Sequence, residues 1–454
     1  MVRSGTQLTP RLATALTVAC CLAGGYPLAH AQPAAEVPGQ DVAASAIDPS
    51  IEQLPRPANR FETELDIRDL LDSGDAAAAA ALGPTLLALA ADEFGLDDTR
   101  YADTLLLVAD AQAQNEAFDA AEQNALRAVE IYRESDGTFA ETLIPPYTML
   151  GDVYRAADDY LNAIPAYEEA RSISRRALGL HNPEQMAILG RLSDVAESMG
   201  EIEDAHDYQR DAMALTERRN ETHSEAVVDA ALQYGTWLRE HNMFSREQAL
   251  YSRIESAVAE EYGDDSIQQV PLLQARANGV RAQGINHPIG VSALQHAAEI
   301  VETDPSRPAV AAAVYRDIGD WQAAFNPSGS DGNAYLRSWQ LLGDIDNGDA
   351  LRADWYGDMP TRWVLLAARS QRGFSTAPDA ATGTLVIRFT VLPTGLTTGV
   401  RISEADPAGI AEEAFLRQFR ASRFRPVIRD GQIIAAERGF RVDFRYDPKR
   451  YEDN

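Results

Sequence analysis

The 454-residue chain contains only two cysteines, Cys20 and Cys21, side by side in its first apolar run. Disulfide scaffolds, cysteine-ligated zinc and cysteine nucleophiles are therefore excluded from everything downstream. Lysine is nearly absent as well: Lys449 is the only one, and 40 basic against 69 acidic residues leave a net charge of −29. Such a shortage of positive charge argues against nucleic acid as a partner, because neutralising phosphates requires clustered Lys and Arg. The seven histidines include no i, i+4 pair with an intervening glutamate of the kind zinc hydrolases use. His181 and His223 lie 42 residues apart and read as turn residues. No phosphate-cradling glycine loop, nucleophile elbow or dinucleotide fingerprint is present. Asp344 to Asp349 has the acid spacing of a calcium loop, but Asp349 and Trp355 stand where that loop needs its glycine and its final glutamate. It reads as a helix-ending loop. Glu168-Glu169 and Glu260-Glu261 are neighbours on different sides of a helix, so neither forms a facing acid–base pair. No enzyme activity, cofactor or metal is expected.

What is present begins with Arg3 and Arg11, the apolar run Leu12 to Gly25, and small residues at Ala29 and Ala31. A basic start, an apolar middle and an A-x-A end predict a secretory signal over 1–31, cut before Gln32. An uncleaved anchor would need an unbroken span of about 20 residues, and Gly24, Gly25 and Pro27 interrupt this one. A lipoprotein signal would acylate Cys20, but Leu16 stands one position too early for it. No later window is expected to approach a membrane span. The mature chain is thus expected to be exported and soluble, touching a membrane only if the first segment is retained. Residues 32–58 are rich in Pro and Ala and read as a linker.

From Phe61 the pattern is helical, and it repeats every 42 residues. Ala79, Ala121, Ala163 and Ala205 form one column, and Ala128, Ala170, Ala212 and Ile254 a second. Two more run Ala109, Gly151, Ser193, Gly235 and Val108, Leu150, Leu192, Tyr234. In the clearest unit, small residues (Gly151, Ala163, Ala170) let antiparallel helices approach, while Leu150, Tyr154 and Tyr167 fill the space between them. This Leu-Gly-x-x-Tyr followed by Ala-x-x-x-Tyr-x-x-Ala resembles the tetratricopeptide (TPR) repeat, and the 42-residue spacing resembles its kinesin-light-chain type. In the loops, Asn182, Pro183 and Gln185 are expected to cap the next helix, and Thr222 with Glu225 to repeat that box. Regular repeats are expected over 59–265 and less regular ones over 266–352, followed by a connector at 353–379. The resemblance implies an α-solenoid with a concave surface for a peptide or helix. The alternative role is that of a spacer or dimerisation surface.

Near Ala380 the period changes from helical to alternating. Thr384 to Val391 reads as a strand, Leu392 to Gly395 as a turn, and Thr397 to Ser403 as a second strand. Ile410 to Ser422 is helical, Arg429-Asp430-Gly431 is a turn, and a long strand ends at Tyr446. The plan for 380–447 is β-β-α-β, with a short tail at 448–454, so the whole is α+β and multidomain. The charge changes with the pattern: residues 32–379 hold 26 basic and 59 acidic side chains, residues 380–454 hold 12 and 10. Gly383, Phe389-Thr390-Val391-Leu392-Pro393-Thr394-Gly395, Val400-Arg401-Ile402-Ser403, Arg423-Phe424-Arg425-Pro426 and Phe440 to Phe444 are similar in order and spacing to the C-terminal domain of the TonB family.

The resemblance implies a periplasmic protein that recognises proteins or peptides, among them TonB-dependent outer-membrane receptors, by adding a partner strand to a sheet edge. The last strand, Arg438 to Tyr446, is the expected edge, with Gly439 as a break that frees it. Phe440, Val442 and Phe444 share the core face by their period of two, which leaves Arg441, Asp443 and Arg445 to read a peptide. Two other roles fit the same plan. One is a non-energised envelope scaffold or assembly factor. The other is an energy transducer, which in that family needs an uncleaved helix with a Ser-x-x-x-His motif, and the apolar run here contains neither residue.

Overall fold

The computed structural model describes residues 59–326, 332–357, 363–365, 380–410 and 412–446. The expected signal, the linker, most of the connector and the tail lie outside these residues. The described array opens with five helical hairpins: α1 (Arg60–Ser73) with α2 (Ala76–Phe94), α3 (Thr99–Gln114) with α4 (Phe118–Asp136), α5 (Ile144–Ala156) with α6 (Tyr160–Ala177), α7 (Glu184–Met199) with α8 (Ile202–Arg219), and α9 (Glu225–Glu240) with α10 (Phe244–Tyr262). It continues through α11 (Val270–Ala282), α12 (Pro288–Thr303), α13 (Pro308–Phe325), α14 (Asn333–Leu341) and α15 (Gly348–Tyr356). One sequence expectation is corrected here: α2 is long and apolar enough to cross a membrane by composition. It packs within the array, burying Ala79, Gly83, Leu86 and Ala90.

The 42-residue period is carried by two physical devices. The first is the turn inside each hairpin, where Gly74, Glu116, Asp158, Gly200, Asn242 and Gly284 all adopt positive φ and recur every 42 residues. Glycine takes that conformation without strain, whereas Asn and Asp tolerate it better than most residues. The second is a small residue on the first helix facing its partner on the second. A Cβ added at Gly151 would run into the Tyr167 ring, one at Gly235 into Tyr251, and one at Gly319 would stand 2.5 Å from Tyr335. In the intervening repeats Ser193 meets Gln209, whose amide donates to the serine hydroxyl at 3.0 Å, and Ala109 and Ala277 share core clusters with Ala125 and Ala293.

Other columns behave as their residue types predict, with Leu150, Ala163, Ala170, Leu192, Ala205 and Ile254 all buried. Ala212 is half-buried and Tyr154 reaches out to donate to Glu122 at 2.7 Å. The loop expectations are corrected. Asn182 is buried and ties its own loop together by donating to the Ser174 and Gly179 carbonyls, while Gln185 donates to Leu180. Ser224, not Thr222, caps α9 by accepting from the Val227 N–H.

One column departs from its type. Where the earlier repeats carry Ala79, Ala121, Ala163 and Ala205, α10 carries Glu247, fully buried, with no hydrogen-bond partner among the described residues for either carboxylate oxygen. Gly279 on α11 leaves the room it occupies. Burial pushes its carboxyl up to about 7, the Arg239 guanidinium at 3.6 Å pulling the other way.

The C-terminal unit contains β1 (Trp363–Leu365), β2 (Ala381–Val391), β3 (Thr397–Asp406), α16 (Glu412–Ala421), β4 (Arg423–Phe424), β5 (Val427–Arg429), β6 (Gln432–Ile434) and β7 (Ala436–Tyr446). The main sheet is antiparallel in the order β3-β2-β7, and α16 packs its Phe415 and Phe419 onto Phe389, Phe440 and Phe444. The β-β-α-β plan is therefore present, with two additions. The turn expected at Arg429-Asp430-Gly431 is present, Asp430 and Gly431 both taking positive φ, but it closes a β5–β6 hairpin, and the expected long last strand is divided at Ala435 into β6 and β7. The connector contributes β1, which pairs with β4.

The β4 to β6 segment also joins the sheet domain to the end of the array. Arg425 makes a bidentate pair with Asp320 of α13, Nε to Oδ1 at 2.9 Å and Nη2 to Oδ2 at 2.7 Å. Both side chains are buried, and the Tyr335 hydroxyl donates to the same carboxylate at 2.9 Å. Around this pair, Ile428 joins the core of Tyr335, Tyr356 and Val364, Gly431 meets Trp339, and Ile433 covers Gly332. Arg281 donates to the Val364 carbonyl, and Arg438 to that of Gly357 at 3.1 Å. Burial alone would raise the Asp320 carboxyl, but Arg425, supported by Arg281 and Arg316, holds it below the ordinary carboxylate value.

Three outcomes follow from this packing. Gly151→Ala should lower stability by about 1–3 kcal/mol through overpacking against Tyr167. Gly190→Ala, with open space around it, should be neutral or stabilising by up to about 1 kcal/mol, and thermal unfolding of the pair separates steric from propensity effects. Glu247 has a raised folded pKa, so the folded state holds its proton longer than the unfolded one. Stability should decline between about pH 5 and 7, and Glu247→Gln should flatten that decline in urea titrations across pH. Arg425→Ala leaves a buried carboxylate without its main cation and should cost about 3–5 kcal/mol at pH 7. The intact pair stabilises above the unfolded carboxylate pKa of about 4 and is lost as pH falls below it. The difference between wild type and variant should therefore shrink towards pH 4.

Candidate peptide-binding edge

The site is the outer side of β7. Alternation decides which side chains it offers: Val442 and Phe444 are buried and Phe440 is half-buried against α16, as their period of two predicts. Arg441 and Arg445 are exposed and Asp443 is half-buried on the opposite face. On one side β7 pairs with β2 along its whole length, from Ala436 opposite Val391 to Tyr446 opposite Ala381. No strand among the described residues pairs with its other side. A row of backbone donors and acceptors on an unpaired edge is a template for one more strand.

Gly439 is not the break that the sequence suggested. It pairs with Arg388 in an uninterrupted register and has an ordinary φ. A side chain there would meet nothing within 4 Å. Continuous ladder bonding on both flanks holds the strand straight through it, so the edge owes its freedom to its terminal place in the sheet.

The polar face is organised by cross-strand contacts. The Thr384 hydroxyl donates to Asp443 at 2.7 Å, and Arg441 Nε lies 3.6 Å from the same carboxylate. Towards the other end, Arg401 on β3 spans β2 to reach Glu437 at 2.6 Å. Arg441, Asp443 and Glu437 thus present alternating charge beside the edge. Pairs this exposed contribute at most about 1 kcal/mol each to stability, which leaves them available for exchange with a ligand.

The residues that place this edge were not identified from the sequence. Arg425 lies inside the Phe-Arg-Pro segment and Asp320 sits one residue after the small-residue column, at the position that Asp152 holds four repeats earlier. Asp152 accepts from Tyr167 at 2.7 Å and from Arg191 of the next hairpin at 2.9 Å. Asp320 accepts from Tyr335 in the same way, and Arg425 supplies the arginine. The sheet domain thus takes the place of a following repeat. A column of Asp110, Asp152, Asp194 and Asp320 at multiples of 42 was the signal available. No group of His, Cys, Asp and Glu that could hold a metal occurs among the described residues.

Comparison with known families places two segments. Residues 142–218 match the tetratricopeptide repeat family, and residues 378–446 match the Gram-negative bacterial TonB protein C-terminal family. No curated protein matches the chain. Among solved structures, a putative kinesin light chain from Podosopora anserina with nearly identical TPR-like repeats is 14% identical, covers 45% of this chain and 97% of its own, and superposes with a TM-score of 0.34. BtubC (BKLC) from P. vanneervenii is 16% identical over 54% of this chain and 92% of its own, with a TM-score of 0.34. YrrB, a TPR protein with an unusual peptide-binding site, is 18% identical over 48% and 93%, with a TM-score of 0.28. No catalytic family is matched, and the two family matches point to interaction with proteins or peptides in the bacterial envelope. The chain thus carries a tetratricopeptide repeat at residues 142–218 inside its helical array and a TonB C-terminal domain at residues 378–446.

Proposed function

We infer that this is a periplasmic interaction protein whose array holds one partner while its TonB-type domain binds a second by strand addition. The second partner is a short extended segment of an outer-membrane transport component. The observation that carries this reading is the unpaired outer side of β7, flanked by the alternating charges of Arg441 and Asp443. In strand addition the backbone ladder supplies affinity and alternate side chains supply selectivity. The buried Asp320–Arg425 pair supports the bipartite role, since a domain fixed to the array transmits its orientation to whatever the array holds.

Fluorescence anisotropy with labelled receptor N-terminal peptides tests the reading. Val442 and Asp443 are adjacent, so the N–H of one faces β2 and that of the other faces outward. Proline at the outward position removes a ladder donor while leaving the sheet intact. It should weaken binding about tenfold or more, and circular dichroism identifies which variant keeps its fold. Arg441→Glu should change which peptides bind rather than abolish binding. Unchanged affinity in the folded proline variant sinks the strand-addition reading.

A further inference from the structure

Positive charge is scarce in the array, and most of its arginines are committed to carboxylates, as Arg191 is to Asp152 and Arg246 to Glu203. Arg175 and Arg218 are not. They stand in the last turns of α6 and α8, the second helices of adjacent hairpins. Neither makes an ion pair, hydrogen bond or ring contact with the described residues. Cations at a helix C-terminus complement its dipole, and that would be role enough if the neighbouring arginines were idle too. They are not: Arg176 lies over the Phe139 ring at 3.7 Å, and Arg219 donates to the His181 carbonyl at 3.0 Å.

Arg175 and Arg218 line a cavity of about 200 Å³ between the two helix ends and the loop that carries His181. Arg171 forms another wall, its side chain 15% exposed and its Nη2 paired with Asp211 at 2.8 Å. The Nε of Arg171 is buried without an acceptor, a state that costs free energy unless something else accepts from it. Three guanidiniums and one carboxylate, that of Asp211, line this space, and Arg171 also pairs with Glu168 outside it at 3.5 Å. The period shows that the arrangement is local. One repeat earlier the equivalent positions are Arg133, bonded to the Tyr147 hydroxyl, and Arg176, stacked on Phe139. One repeat later they are Glu217 and Glu260.

We propose that this cavity binds one oxyanion group, a phosphate or a carboxylate, between Arg175 and Arg218, with Arg171 adding positive charge from the wall. Guanidinium forks match the geometry of both groups, and the volume admits one such group rather than a helix. The site lies far along the chain from the β7 edge, so it is independent of the strand-addition reading.

Isothermal titration of the full chain with inorganic phosphate, and separately with an acetylated and amidated tetraglutamate, tests the site. At least one probe should bind saturably, and Arg175→Ala with Arg218→Ala should weaken that binding at least tenfold. Arg68→Ala, a control on α1, should leave it unchanged. Both substituted arginines are exposed, so an unaltered melting temperature without ligand confirms that the double variant folds, and Arg175→Gln with Arg218→Gln replaces it otherwise. Binding by phosphate alone identifies a free or headgroup phosphate as the source, and binding by tetraglutamate alone an acidic segment of a protein. Failure of both probes to bind, or equal binding by the folded double variant, overturns the proposal.

Discussion

Close approach of the two helices in each hairpin is the constraint on which the rest depends. Helix axes can come together only where one side chain is small, and the space beside it must be filled or it becomes a cavity. Gly151 with Tyr167, Gly235 with Tyr251 and Gly319 with Tyr335 solve this with the largest size difference, and the intervening repeats solve it with pairs of nearer size. In two of these three pairs the hydroxyl that the large partner brings is satisfied, whereas that of Tyr251 is buried without a hydrogen-bond partner among the described residues. Asp152 and Asp320 accept from their tyrosines, and burial beside a carboxylate raises both phenols well above their ordinary range. Each of those carboxylates has a cation in turn, Arg191 of the next hairpin for Asp152 and Arg425 of the sheet domain for Asp320.

The second of these pairs links the array to the domain beyond it. A helical repeat array exposes an apolar face at its last unit and needs a cap. Here Arg425 neutralises Asp320 while Ile428 and Ile433 cover Tyr335, Tyr356 and Gly332. The cap is the β4 to β6 side of the sheet domain, joined by Arg438 of β7, which donates to the Gly357 carbonyl. β7 ends the sheet order on one side and β3 on the other, each pairing only with β2 among the described residues. Such a buried ion pair is weak evidence for net stability, because an apolar replacement of similar shape can do as well. Its geometry is directional, however, and it specifies one orientation of the domain.

Charge follows the same division. The array is strongly acidic, yet it places unpaired arginines at the junction of α6 and α8 and, in an alanine column, a buried Glu247 that has no hydrogen-bond partner among the described residues. In the preceding copies the equivalent arginines, Arg133 and Arg176, are engaged and the equivalents of Glu247 are alanines. In a repeat array a local rule is stated several times over, so an exception stands out against its own sequence background. Departures of this kind carry cost without a packing benefit, which is why they mark positions of interest.

The sequence by itself determined the repeat, its period and the nature of the sheet domain. Size alternation in Gly151, Tyr167 and Ala170 and the two-residue alternation of Phe440, Val442 and Phe444 are local rules, readable without knowing what lies opposite. The core face of β7 and the polar face of Arg441, Asp443 and Arg445 follow from that same alternation. Other features were decided only in three dimensions. Asn182 looks like a helix cap in sequence but turns inward to hold its loop, because the Ser174 and Gly179 carbonyls lie within its reach. Gly439 looks like a break but runs straight, because pairing with β2 continues on both sides of it. Asp320 and Arg425 are 105 residues apart, and nothing in the local pattern of either names the other. A long-range pair is chosen by which surfaces meet once the array ends, and that depends on the summed geometry of every repeat before it.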